Sequence, residues 1–406
     1  MSVLTTKPDI WSTACTQVFF SIGVTFGTFT AFGSHCARDA PAFVNACIIA
    51  CSDAIFAIIA GFFVYGFVGY VSVSTNTPIK DIPSGGMSLL FGVVPEALMT
   101  LNGGIHWLRL LFAFLSLLGI DSGFALTQSP QAVIHDTKYF RPTPRYKIIG
   151  SLAIFGFISG LMYVTDAGLF FLDVVDFYIN FIMILIGFFE CFAAGWMFEL
   201  EEQIDTLGKP IVYLYMFSTF ASVIVASILW FTVEGINNMV VGFIALVAIW
   251  CVGMVGVFVM LAKKKKEGDW TWKSILYQLL FRNVFDLRDQ LSESGVGYIP
   301  GLWCLLIKHV IPSLLLILFV NLAGAKTKTG EPLFGNYGEY VTYPYQFLGI
   351  LIIALTLFLL ALGFARPVTY DILADPEDES TLKEKMGEDK VVVPPESELM
   401  DAGVVS

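Results

Sequence analysis

Long apolar runs separated by short polar stretches dominate the chain. Runs long enough to cross a bilayer occupy Trp11 to Ser34, Phe43 to Val71, Trp107 to Ile134, Ile148 to Val164, Leu169 to Phe198, Ile211 to Val233, Met239 to Ala262, Leu302 to Leu322 and Tyr345 to Phe364. At about 20 residues per span, these predict about nine transmembrane helices. Trp11, Trp107, Trp230 and Trp303 fall at or near the ends of runs, where interfacial aromatic anchors belong. The segment Trp270 to Leu291 has a different pattern. Ile275, Leu276, Leu279, Leu280, Val284 and Phe285 recur among Lys273, Arg282, Asp286 and Arg288, which predicts an amphipathic helix lying on the membrane surface.

The first run is interrupted from within. Between Gln17 and Gly27 it holds Phe19, Phe20, Ser21, Gly23, Thr25 and Phe26, a mixture of aromatics, hydroxyls and glycines in a segment that must otherwise cross lipid. Hydrocarbon tolerates freed backbone groups only where they are buried in protein or line a wet cavity. A Gly-interrupted span therefore predicts a broken helix lining a binding site near the bilayer midplane.

Composition sharpens the class. Hydrophobic residues make up 56% of the 406-residue chain and charged residues only 14%, which excludes an ordinary soluble domain and leaves an all-α polytopic membrane protein. The net charge of −11 says little about nucleic acid, because much of the acid lies between Asp371 and Ser406, in a tail expected to be solvated and disordered. If the spans alternate, Arg38, the cluster Lys138, Arg141, Arg145 and Lys147, and the run Lys263 to Lys266 fall on one side, which the positive-inside rule makes cytoplasmic. The N-terminus is then expected outside and the C-terminus inside, although Lys326 and Lys328 fall in an outer loop. The first ten residues lack a basic start and apolar core, so Trp11 to Ser34 is read as the first inserted segment. The seven cysteines lie in or beside spans without metal-type spacing, and there is no nucleophile elbow, phosphate loop or zinc pattern, so nothing points to an enzyme.

Three carboxylates sit inside predicted spans: Asp53 in the second, Asp121 in the third and Glu190 in the fifth. A charge near the midplane costs roughly 2.5 to 3.5 kcal/mol on insertion scales, so each is a functional candidate. The plainer alternative is a carboxylate paired with a neighbouring helix, or protonated and hydrogen-bonded.

Several motifs in order carry a family resemblance. They are the broken run Trp11 to Ser34, Val68-Gly69-Tyr70, Val94-Pro95-Glu96-Ala97, Leu118-Gly119-Ile120-Asp121-Ser122, and Glu190 to Trp196. Together they resemble the neurotransmitter:sodium symporter family, also called solute carrier family 6, but only its sixth to twelfth helices, with a two-helix insertion. The resemblance covers most of the chain up to about Gly208 and resumes at Asp286. It implies a partial LeuT-type inverted-repeat transporter fold lacking the first five helices, arranged as follows. Residues 1–208 would form family helices six to ten, and 209–262 two inserted helices expected to pack peripherally. Residues 263–301 would form a cytoplasmic basic and amphipathic segment, 302–366 helices eleven and twelve, and 367–406 the acidic cytoplasmic tail.

The same resemblance implies roles. Phe20 and Phe26 would wall the substrate pocket, with Gly23 at the unwound bend. Ser21 would be shared by substrate and a first sodium site, with Asp53 where the family usually has an asparagine sodium ligand. Leu118, Asp121 and Ser122 would give the eighth-helix half of a second sodium site, with Ser122 and Leu126 also facing substrate. Gln17 and Ser21 resemble chloride ligands, yet the further chloride hydroxyl of the family is here Ala57, and a fixed Asp53 carboxylate makes a mobile anion redundant; chloride is not expected to be required. Asp136 resembles the cytoplasmic gate acid and Asp176 the outer one. By composition alone, Phe20 and Phe26 read equally as helix packing, and Gly27 and Gly33 as small residues at a helix contact.

The resulting expectation is a sodium-coupled symporter of an amino acid or related small amine, working by alternating access in the plasma membrane, with Na+ as the co-transported ion and no nucleic-acid partner. The family's first helix supplies the remaining sodium ligands, so the chain is expected to be incomplete as it stands. A missing N-terminal half or a homologous full-length transporter would be its protein partner. The alternatives are a truncated, non-transporting membrane protein that modulates such a homologue and, with less support because no ring of pore-lining carboxylates is visible, a channel.

Overall fold

The computed structural model describes residues 9–37, 40–82, 86–137, 139–232, 238–266, 270–326, 330–337 and 345–365. The acidic tail and Lys138, Arg38 and Lys328 lie outside these residues. The described chain is helical throughout its apolar runs, with one isolated antiparallel bridge between Lys326 and Pro332.

Among the described residues, eight helices are long and apolar enough to span a bilayer, against the nine expected. The difference is the first run, which is physically cut. Helix α1 covers Asp9–Ile22, a single 3-10 turn covers Val24–Phe26, and α2 covers Thr28–Gly33. The spanning helices that follow are α3 (Ala42–Thr75) and, after a short helix α4 (Val94–Met99), α5 (Gly104–Asp136) and α6 (Arg145–Gly160). Next comes α7 (Gly168–Phe192), extended by a π-helical turn at Ala193–Met197. A short helix α8 (Leu200–Leu207) leads into the spanning pair α9 (Lys209–Thr232) and α10 (Asn238–Lys266). Beyond these lie α11 (Trp272–Leu280) and α12 (Arg282–Leu291). The next span runs through α13 (Gly301–Leu305), a second π-helical turn (Leu306–Val310) and α14 (Ile311–Gly324), and α15 (Tyr345–Ala365) ends the described chain.

Helix α7 is the hub. It packs against α14, α15, α1 and the 3-10 turn of the break. In its N-terminal half Phe177 stacks on Tyr337 with ring centroids 4.1 Å apart. Beside it the buried Tyr178 hydroxyl donates to Gln346 (2.9 Å) and accepts from the Gly335 amide (2.8 Å), fixing the loop 330–337 between α7 and α15.

Two expectations are corrected here. The pair α9 and α10 is not peripheral: α9 lies between α10 and α14, and Ile211, Val212, Tyr215, Met254, Val257 and Leu261 belong to the largest buried cluster, which also takes in Trp196 of α7. The pair closes tightly because a side chain at Gly253 would collide with Ser218, and because the buried Ser218, Ser222 and Ser227 hydroxyls return to carbonyls of their own helix. Small residues and self-satisfied hydroxyls are what allow helix backbones to approach in lipid, where apolar burial alone gives little driving force. The amphipathic segment, moreover, is not one helix on the membrane surface. It bends at Phe281 (φ −134°), and Ile275, Leu279 and Val284 are fully buried in the protein. Its apolar stripe faces α8 and the α10 end of the bundle rather than lipid.

The polar groups of this segment explain that choice. Gln203 on α8 donates to the carbonyls of Gln278 (2.7 Å) and Leu279 (3.1 Å), and Arg282 bridges Glu202 (2.6 Å) and Asp286 (3.2 Å). The π-helical turns at Ala193–Met197 and Leu306–Val310 meet here. The Trp196 indole donates to the carbonyl of Lys308 (2.7 Å), and the buried Lys308 ammonium lies over the Trp196 ring and donates to Asn283 (2.5 Å). On the adjoining water-exposed surface, lost hydration and the Asp286 carboxylate push Glu199 above the ordinary carboxylic range.

Candidate functional site

The break in the first span is built from two glycines in the left-handed region, Gly23 (φ +73°) and Gly27 (φ +70°), a conformation that costs other residues about 1–2 kcal/mol. The last regular turn closes with the Gly23 amide on Phe19 (2.9 Å); Phe26 then reaches back only to Gly23 (3.3 Å), and the helix resumes with Ala31 on Gly27 (3.0 Å). Among the described residues, no amide of residues 24–26 returns to the carbonyls of Phe20, Ser21 and Ile22. Those carbonyls are freed acceptors in the middle of a span, which suits the ammonium of a substrate or a hard monovalent cation.

The structure gathers part of the expected set around this break. Phe20 and Phe26 meet edge to face across it, with centroids 5.9 Å apart and planes at 84°. The Ser21 hydroxyl donates to Asp53 of α3 at 2.6 Å, joining two expected sodium ligands. Gln17 lies one turn before Ser21 on α1 and is exposed. Gly27 is also a packing contact, as the alternative reading held: a Cβ there would lie 2.6 Å from the Ser129 hydroxyl of α5. Gly33 has nothing within reach of such an atom.

The other half of the set stands apart. Leu118, Asp121, Ser122 and Leu126 lie on α5 but are exposed, and neither Asp121 nor Ser122 makes a hydrogen bond or ion pair among the described residues. Glu190 is likewise exposed on α7. Of the two acids expected to act as gates, Asp136 is 74% exposed and lies beside the neighbouring His135 ring (3.5 Å), whereas Asp176 is exposed beside Asp173. It is Asp173 that accepts from Tyr337 of the loop 330–337 (3.3 Å), a contact the sequence reading missed. Between the end of α2, α5 and α6 lies a cavity of about 800 Å³, lined by His35, Thr127, Gln128, Gln131 and Arg145 with Phe124 at its apolar side.

Thr25 was also missed. It is 5% exposed and packed toward Gly187 of α7, and its hydroxyl has no hydrogen-bond partner among the described residues. In an unbroken helix that hydroxyl would return to a carbonyl one turn back, so the break strands it.

Comparison with known proteins places this geometry. The Sodium:neurotransmitter symporter family matches residues 3–263, well over half of the chain. The chain belongs to that family. The members of that family are integral, multi-pass membrane transporters, not enzymes. The match runs through α9 and α10, the pair that the sequence reading set apart as an insertion. Similar relatives include a sodium- and chloride-dependent taurine transporter of Bos taurus, 26% identical over 211 residues, 51% of this chain and 34% of the relative. A sodium- and chloride-dependent GABA transporter 2 of Rattus norvegicus is 28% identical over 217 residues, 51% of this chain and 35% of the relative. An uncharacterized sodium-dependent transporter of Methanocaldococcus jannaschii is 28% identical over 211 residues, 50% of this chain and 41% of the relative. The matched region thus spans about a third to two fifths of these relatives. No solved structure matches the chain.

Proposed function

We propose that the chain is the C-terminal portion of a sodium-coupled symporter of an amino acid or related small amine, completed by helices that this sequence does not contain. The observation that carries the reading is the break itself: freed carbonyls at Phe20, Ser21 and Ile22, the facing Phe20 and Phe26 rings, and the Ser21 to Asp53 bond at 2.6 Å. Oxygen donors from carbonyl, hydroxyl and carboxylate suit a hard cation, and the aromatic pair suits a small organic substrate. Asp121 and Ser122, with the Leu118 carbonyl, supply part of a second sodium site whose remaining ligands come from the completing helices. Leu126 lines the same substrate pocket. In this arrangement, sodium and substrate stabilise an occluded state, in the manner of a LeuT-type fold. The basic face bearing Arg145 is cytoplasmic, Asp136 and Asp176 gate the two sides, and the cavity beside Arg145 lies on the release path. The plasma membrane is the site of action.

Transport is chloride-independent in this proposal. The taurine and GABA relatives are named as chloride-dependent. Here the Ser21 hydroxyl is already committed to Asp53, whose fixed carboxylate sits where a mobile anion would otherwise balance sodium. Gln17 alone is left as a donor for such an anion.

A second reading, favoured by the exposed Asp121 and Glu190, is a non-transporting subunit that modulates a full-length homologue. Intramembrane carboxylates do not face lipid without a partner, and no residue of the most apolar windows of α3 and α5 is buried within the chain. The test is uptake of labelled amino acids, taurine and GABA into vesicles by the chain alone and with a complementing N-terminal half. The proposal expects sodium-driven uptake only from the complemented protein, persisting when gluconate replaces chloride. Uptake by the chain alone, or none from the complemented pair despite stable co-purification, contradicts it.

A further inference from the structure

We propose that the basic end of α10 is a binding site for anionic phospholipid head groups in the leaflet on that face of the protein. Helix α10 has 29 residues and ends in four consecutive lysines, Lys263 to Lys266. At 1.5 Å per residue it is about 43 Å long, against a hydrocarbon thickness of about 30 Å, so its last turns lie at the level of the lipid phosphates. Its span is also the most apolar of the eight, with a mean hydropathy of 2.7.

The four lysines cannot share one role. Successive residues on a helix are turned by about 100°, so four of them sweep most of the way around it. Leu261, just before the run, is fully buried and anchors the helix to α9 and α11. Lys265 lies over the Trp272 ring (5.1 Å), which itself meets Phe258 of α10 at 6.1 Å. Lys263 and Lys266 are exposed and three residues apart, which places both ammonium groups on one face. None of the four forms an ion pair among the described residues, although Glu199, Glu201, Glu202 and Asp205 line a separate cleft beside Lys209 and Tyr213. Two exposed cations at phosphate depth, Lys263 and Lys266, braced by an interfacial tryptophan, have the chemistry of a head-group clamp.

The position on the fold favours lipid. Between Lys266 and Arg145 lie four crossings, so the run shares its face with Arg141, Arg145, Lys147 and Lys209. The surface potential of an anionic leaflet acts most strongly there, within a Debye length of the phosphates. The competing occupant is the acidic segment 367–406 of this chain. It begins on the same face, because two further crossings separate Lys266 from Ala365.

The experiment uses the full chain purified in detergent and titrated with phosphatidylcholine, phosphatidylserine and phosphatidylinositol 4,5-bisphosphate, with bound lipid counted by native mass spectrometry. Retention should rise in that order. Lys263 and Lys266 should each contribute about fivefold, so K263Q/K266Q should weaken phosphoinositide retention on the order of twenty-fivefold and the quadruple Lys→Gln variant at least as much. The quadruple Lys→Arg variant should bind as the parent does, and thermal unfolding of all variants shows whether the fold is intact. Three results would overturn the proposal: equal retention by a folded quadruple Lys→Gln variant, equally tight binding of soluble inositol trisphosphate, or lipid binding that appears only after residues 367–406 are removed. The last would assign the lysines to the acidic segment.

Discussion

Gly23 and Gly27 both hold positive φ, yet they should respond differently to a single added methyl. At Gly23 the new Cβ would meet only Phe26 (3.5 Å) and Thr28 (3.6 Å), which are ordinary contacts. Gly23→Ala should therefore cost only the left-handed backbone term, about 1–2 kcal/mol. At Gly27 the same backbone term applies, but the Cβ would fall 2.6 Å from the Ser129 hydroxyl, and forcing atoms into a packed contact costs about 1–3 kcal/mol more. Gly27→Ala should cost about 2–5 kcal/mol in all. Removing the hydroxyl leaves the Ser129 Cβ at 3.8 Å, a normal distance, so Gly27→Ala with Ser129→Ala should recover the steric part and keep the backbone part. The coupling in this double-mutant cycle should thus be about 1–3 kcal/mol, read from reversible unfolding in mixed micelles. Additivity within about 0.5 kcal/mol would show that the half-helix α2 does not rest on α5, and the placement of the break would be wrong.

Further predictions follow from other contacts. Trp196→Phe removes the donor to the Lys308 carbonyl and weakens the ring beneath its ammonium, and should cost about 2–3 kcal/mol in the same unfolding measurement, with Lys308→Arg partly tolerated. Gly253→Leu drives a side chain into Ser218 and should separate α9 from α10, seen as loss of a Leu214 to Gly256 cross-link between introduced cysteines, whereas Gly297→Ala, with open space around it, should leave that cross-link intact. Asp53→Asn in the complemented protein should abolish uptake or make it chloride-dependent; unchanged, chloride-independent uptake would remove Asp53 from the ion site.

The break was legible because two glycines among aromatics have few other meanings inside a span, and Ser21 and Asp53 were legible as members of one set. Their direct bond was not, because sequence does not fix the rotation of α1 against α3. The amphipathic stripe of 270–291 was correctly seen and wrongly faced: an apolar stripe shows that something is covered, and only the Gln203 and Arg282 bonds show that α8 covers it rather than lipid. The serines of α9 gave no warning of a tight seam because each bonds within its own helix. Thr25 looked like one hydroxyl among several, and only the geometry of the break leaves it buried without a partner. Asp121 and Ser122 lie on one helix as expected, exposed and without a hydrogen-bond partner among the described residues.

Direct sodium binding is the measurement closest to the central claim. Radiolabelled sodium should bind saturably to the chain complemented by an N-terminal half, and Asp53→Ala and Asp121→Ala should each weaken that binding by at least about tenfold while the protein stays folded. Saturable sodium binding that neither substitution changes would contradict the account.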